Sequence, residues 1–196
     1  MIIAKIVGSN SHIDYVARVV DELDAAEAPA LGDHRFGQFV GLDVAGSTVV
    51  GVIYNSLLIN PEYANYGPRL SPRPALEEFT PDYISEQGIL LGIMLLGTLN
   101  GGPQAEHEIP ATVVPAGTDV LKLSGDDVKA FHADESGGLR LHYFSQVMSH
   151  AGPFALPLLR SIAKAVSDGL RETDRERLDV LTASLTWQST FGQTRL

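Results

Sequence analysis

Residues 87–102 read QGILLGIMLLGTLNGG, the most apolar stretch of the chain, with glycine at 88, 92, 97, 101 and 102. Three readings compete for it: a membrane span, a phosphate-cradling loop and a buried strand. The unbroken run from Ile89 to Leu99 is about half of the roughly 20 residues a transmembrane helix needs, and Ser85, Glu86 and Gln87 precede it directly. A P-loop requires lysine and a hydroxyl residue after its last glycine, but the chain has no Gly-Lys pair and no G-x-G-x-x-G follows the run. Leu99-Asn100-Gly101-Gly102-Pro103 reads as a turn, because Asn and Gly tolerate positive φ. A central barrel strand remains, with glycines where the strand bends or another backbone comes close.

The sequence before this strand has the same character. Ile2 to Val7 is a β-branched run closed by Gly8-Ser9-Asn10, and Ile13, Tyr15, Ala17 and Val19 alternate with polar residues as in a half-buried strand. The segment Asp24 to Arg35 reads as a loop. Phe36 to Val44 and Thr48 to Ile59 form a further strand pair joined by Ala45-Gly46-Ser47. Between Asn60 and Asp82, prolines at 61, 68, 72, 74 and 81 read as an irregular excursion with one short helix around Ala75 to Phe79, and Tyr63, Tyr66, Arg69 and Arg73 are interleaved with them. Long ordered loops often carry function, so these four side chains are the candidate interaction surface.

After the apolar strand, Glu106 to Val114 and Thr118 to Leu123 read as strands around Pro115-Ala116-Gly117. Ser124 caps a short helix through Phe131, with Asp127 three residues on. Leu139 to Phe144 reads as another strand. Leu159, Ile162, Ala163, Val166 and Leu170 recur at helical spacing, and Thr173 to Glu176 forms a capping box for a last helix bearing Leu178, Leu181 and Leu185. Trp187 and Phe191 extend that helix or follow it. The expected class is α+β: a small six-stranded type of β-barrel over residues 1–123, with its Pro-rich excursion at 60–82, then a mostly helical C-terminal cap over 124–196.

Composition narrows the function. The chain has 196 residues, 44% hydrophobic and 19% charged, which suits a folded core. Fourteen Lys and Arg face 24 Asp and Glu, a formal net charge of -10, so general attraction to phosphate backbones is absent. With no cysteine there are no disulfides, thiolate zinc sites or cysteine nucleophiles. Lys5 lies inside the first apolar run and no charged region precedes it, so no signal peptide is expected and the expected location is cytoplasmic.

No catalytic constellation emerges. His107-Glu108 lacks the second histidine of a zinc-protease helix, and Pro110 would break such a helix. His132 and His142 flank a Gly-Gly turn and could meet across a hairpin, either on a metal or as structural side chains. Asp126-Asp127 suits a helix N-terminus, Glu77-Glu78 point in different directions on a helix, and there is no G-x-S-x-G elbow. No catalytic residue, cofactor or metal ligand is assigned.

The segments IIAKIVGSNSHIDYVARVV (2–20), FGQFVGLD (36–43), VVGVIYNSLLIN (49–60) and LLGIMLLGT (90–98) resemble successive strands of the HAS-barrel, the small N-terminal barrel shared by HerA-type DNA translocases and rotary ATP synthases. The remainder, VLKLSGDDVKAFH, LRLHYFSQVM and LDVLTASLTW, is similar to the downstream part of small prokaryotic proteins that carry this barrel without a motor. In the translocases a P-loop ATPase follows the barrel; here none does, so ATPase activity does not carry over. What the resemblance implies is assembly, by side-by-side packing or by docking a partner.

Three functions follow as expectations. The first is a non-enzymatic barrel acting through protein–protein contact or self-association, an accessory to a HerA-type ATPase and nuclease in DNA processing and repair. The second is a barrel that binds single-stranded nucleic acid. The third is a small-molecule enzyme using His132 and His142.

Overall fold

The computed structural model describes residues 1–21, 24, 27–59, 88–99, 105–134, 136–167 and 172–191, with 182 and 185–191 by backbone alone. Among the described residues there are seven strands: β1 (Ile2–Ser9), β2 (Asp14–Val19), β3 (Phe39–Val44), β4 (Ser47–Ile59), β5 (Gly88–Leu99), β6 (Ala105–Glu106) and β7 (Asp119–Lys122). Four α-helices accompany them among the described residues: α1 (Gly125–His132), α2 (Phe144–His150), α3 (Ala155–Val166) and α4 (Glu172–Phe191). The protein is therefore α+β.

All strand pairs are antiparallel. The order β2-β1-β7-β3-β4-β5 closes on itself because β5 also pairs with β2, Met94 opposite Asp14 and Leu90 opposite Arg18. This is a closed six-stranded barrel, with β6 a short addition at the end of β5. Ala45 and Gly46 form the β3–β4 turn at φ 53° and 82°, the positive values that match a tight hairpin to strand twist.

The apolar run now has a physical explanation. Side chains of β5 alternate between two cores: Leu91, Ile93 and Leu95 point into the barrel, while Met94 and Leu96 join an outer core with the helices. A strand buried on both faces shows no polar alternation. Inside, Ile3, Ile6, Tyr15, Leu42, Ile53 and Val120 pack with the β5 residues, so side chains fill the barrel interior. Outside, Phe39, Val50 and Val52 meet Phe131, Tyr143, Val147, Leu158 and Ile162 from α1 to α3 and the segment before α2. Each such aliphatic or aromatic side chain gains about 1.5–3 kcal/mol on full burial.

Glycines allow the close approaches. A Cβ at Gly97 would lie 2.0 Å from the Glu106 carbonyl oxygen, and one at Gly51 would meet Ile93 Cγ2 at 2.7 Å. The β4–β5 register shifts between Val50 and Gly51, whose partners are Gly97 and Leu95. The barrel wall bends there.

Three expectations are corrected. Glu106 to Val114 is not a strand: beyond Glu106 the chain crosses a barrel end, where Val114 N–H donates to the Tyr15 hydroxyl at 3.1 Å and Pro110 C=O accepts from His12 Nε2 at 2.7 Å. Side chains there satisfy backbone groups that a ladder would otherwise pair. Leu139 to Phe144 makes only a single bridge, Leu139 to Ala133, and Phe144 starts α2 instead. Thr173 lies inside α4, which begins at Glu172, so it is not the cap. By contrast Ser124 caps α1, its Oγ accepting from Asp127 N–H at 3.1 Å. No helix among the described residues is long and apolar enough to cross a membrane.

Candidate functional site

The polar residues with the most perturbed surroundings lie where α1, the chain after β6 and the start of α2 converge. His132, the last residue of α1, is 3% exposed. Its Nδ1–H donates to Val128 C=O at 2.6 Å, which leaves Nε2 as acceptor for the Tyr143 hydroxyl, also at 2.6 Å. His107 follows β6 and is also buried. Its Nε2–H donates to Phe131 C=O at 2.7 Å, while Nδ1 accepts from the His142 backbone N–H at 3.3 Å. Each imidazole is thus fixed as a neutral tautomer with both ring nitrogens engaged.

Burial is the main cause that pushes both histidines down to about 4. Their carbonyl bonds oppose this, and the Arg140 guanidinium adds to it. Arg140 sits beside them because its Nη2 donates to Ala105 C=O, tying β6 to the segment before α2. Tyr143, fully buried, has its hydroxyl pushed well above the usual phenol range. The cluster holds three elements together through neutral hydrogen bonds.

His132 and His142 do come near one another, but through His107, whose ring centroid is 5.8 Å from the first and 5.9 Å from the second. His142 is exposed and borders, with His107, Gln146 and His150, a hollow of about 590 Å³. Gln146 Nε2 donates to Leu95 C=O at 2.5 Å, so α2 is fastened to the central strand. Among the described residues no group of three or more His, Asp or Glu side chains is placed to hold a metal ion.

A second concavity of about 600 Å³ lies between the turn before β3, the end of β7 and α3. Arg35, Lys122 and Lys164 border it, together with Phe36, Gln38 and Ser161. Gly37 forms its floor at φ 78°, where a Cβ would fall 2.0 Å from Ser161 Oγ. Gly37 N–H donates to Ile53 C=O at 2.7 Å and buried Gln38 donates through Nε2 to Phe39 C=O at 3.0 Å, so this turn is fixed to β4 and β3.

Tyr63, Tyr66, Arg69 and Arg73, the surface expected from the sequence, lie outside the described residues, as do Glu77-Glu78 and the short helix expected around Ala75 to Phe79. Asp126 and Asp127 stand in the first turn of α1 as expected. Sequence reasoning missed His107 with Arg140, and the convergence of Arg35, Lys122 and Lys164. Neither set has a local signature, because its members come from distant parts of the chain.

These features define a class: a small closed antiparallel β-barrel with helices packed on its outer wall and buried histidines committed to hydrogen bonds. The chain belongs to the family described as a domain of unknown function, DUF8166, which matches residues 1–194. No match to a curated protein was found.

Proposed function

We propose that the protein is a non-enzymatic barrel that works in the cytoplasm through protein–protein contact, as an accessory to a HerA-type DNA-processing ATPase and its nuclease. The partner class comes from the resemblance to the HAS-barrel. The observation that carries the contact reading is the overhang of β4. That strand pairs with β3 only from Ser47 to Val52 but continues to Ile59 against β5. Its projecting end carries Leu57 and Leu58, 60% and 82% exposed. A projecting strand with apolar side chains and no β3 partner suits a docking contact. The helical C-terminal region, in this reading a cap, covers a different part of the wall, the outward side chains of Phe39, Val52, Met94 and Leu96.

Tagged full-length protein should recover a DNA-translocating ATPase from its native cells, and the double substitution Leu57→Glu and Leu58→Glu should abolish recovery without lowering the melting temperature. Equal recovery by the variant would move the contact elsewhere. Failure to recover any ATPase, with a monomeric mass by light scattering, would overturn the reading.

A further inference from the structure

We infer that the cleft bordered by Arg35, Lys122 and Lys164 binds a small phosphomonoester whose body carries a ring or other apolar group. This stands independently of the protein–protein reading, since it concerns a concavity rather than the β4 overhang.

Charge is the first observation. In a chain of net charge -10, three basic side chains from three separate elements border one concavity, and no carboxylate among the described residues lines it with them. Lys122 is shared with Asp33, whose Oδ1 lies 2.8 Å from Nζ and whose acidity is strengthened chiefly by that bond. The side chains of Arg35 and Lys164 make no ion pair or hydrogen bond among the described residues. Among the described residues Arg35 and Lys164 thus border the cleft without an ion-pair partner, a pair of positive charges that suits the charge of about -2 on a phosphomonoester near neutral pH.

Shape and lining are the second. A volume of about 600 Å³ is within the usual range for a small-molecule site. Phe36 and Leu123 supply apolar wall beside the cations, and Phe36 is held edge-on by Phe154 at 6.1 Å. The Ser161 hydroxyl has no hydrogen-bond partner among the described residues and lies against the Gly37 floor. Gly125 at the start of α1 also borders the cleft, while Ser124 already occupies the Asp127 N–H. Arg35 can fork two donors onto phosphate oxygens while Lys164 acts as a point charge.

The test is a calorimetric and NMR titration of the full chain at physiological ionic strength with adenosine 5′-monophosphate, adenosine, inorganic phosphate and oligothymidylate. The monophosphate should bind saturably and shift the Gly37, Gln38 and Ser161 amides. Inorganic phosphate should shift the same amides more weakly, and adenosine should bind at least about tenfold more weakly than the monophosphate. Arg35→Gln and Lys164→Gln, both exposed positions, should each raise Kd about tenfold while leaving the ligand-free melting temperature unchanged. Equal binding of adenosine and its monophosphate, no binding by either, or indifference to both substitutions would overturn the inference. Displacement of the monophosphate by oligothymidylate with steep salt dependence would overturn it in favour of a nucleic-acid tract.

Discussion

The Tyr143 hydroxyl and His132 Nε2 are 2.6 Å apart, and the two side chains are 1% and 3% exposed. With His132 Nδ1–H committed to Val128 C=O, this phenol is the donor that satisfies the remaining ring nitrogen. Tyr143→Phe keeps the ring packing against Phe131 and His107 but strands a buried acceptor. The expected loss is about 1–3 kcal/mol, read by urea denaturation. An unchanged midpoint would show that the pair contributes no net stability.

Acid should weaken the fold through the same cluster. His107 and His132 are held near 4 by burial, against 6.5 in the unfolded chain, so between these values the unfolded state binds more protons. The sign is that stability is fully present above about pH 6.5 and is lost as pH falls toward 4. The scale is of the order of 3 kcal/mol per imidazole. Denaturation midpoints across that window, with NMR titration of the two rings, check it. Ring resonances that titrate near 6.5 would sink the assignment.

Gly97→Ala should be among the most damaging small substitutions in the barrel, since its Cβ would sit 2.0 Å from the Glu106 backbone oxygen. We expect a cost of about 3 kcal/mol, because backbone cannot rotate away as a side chain can. Gly8→Ala, whose Cβ meets nothing within 4 Å, should change stability by less than about 0.5 kcal/mol. Comparable thermal unfolding of the two variants would contradict the close approach.

The two faces of β5 should prove equally intolerant. Leu95→Ala removes a side chain from the barrel interior and Leu96→Ala one from the layer beneath the helices, both fully buried. Each is expected to cost about 2–5 kcal/mol in equilibrium unfolding. A mild Leu96 variant would mean that the helices are loosely seated.

Ser124→Ala should cost about 1 kcal/mol, since it removes the oxygen that accepts from Asp127 N–H and the hydroxyl that donates to Asp127 Oδ2 at 2.7 Å. Asp126→Asn, at a carboxylate 97% exposed, should be nearly neutral by the same denaturation assay.

Much of the barrel is legible because its signals are local. Gly8-Ser9-Asn10 ends β1 near a turn, Ala45-Gly46 sets the β3–β4 hairpin, and an apolar run too short for a bilayer becomes β5. What escapes is decided at a distance. Residues 107–114 have strand composition, yet their backbone partners are the side chains of His12 and Tyr15. Phe144 to His150 follows β-like residues, but its helix is anchored to the Leu95 carbonyl through Gln146, a contact no periodicity announces. The histidine cluster likewise depends on Arg140 reaching Ala105, and the basic cleft on α3 lying against Gly37.

The order of strands also constrains how the chain can assemble itself. β7 is inserted between β1 and β3, so two early strands become neighbours of a common partner that is synthesised only after β5 and β6. Until Asp119–Lys122 has emerged, a nascent chain holding β1 to β5 still has a gap in its wall, with Ile3, Val40 and Leu42 beside it. Such non-local pairing slows folding and prolongs the life of unpaired edges. The last four-residue strand of the barrel is therefore its keystone in time as well as in space.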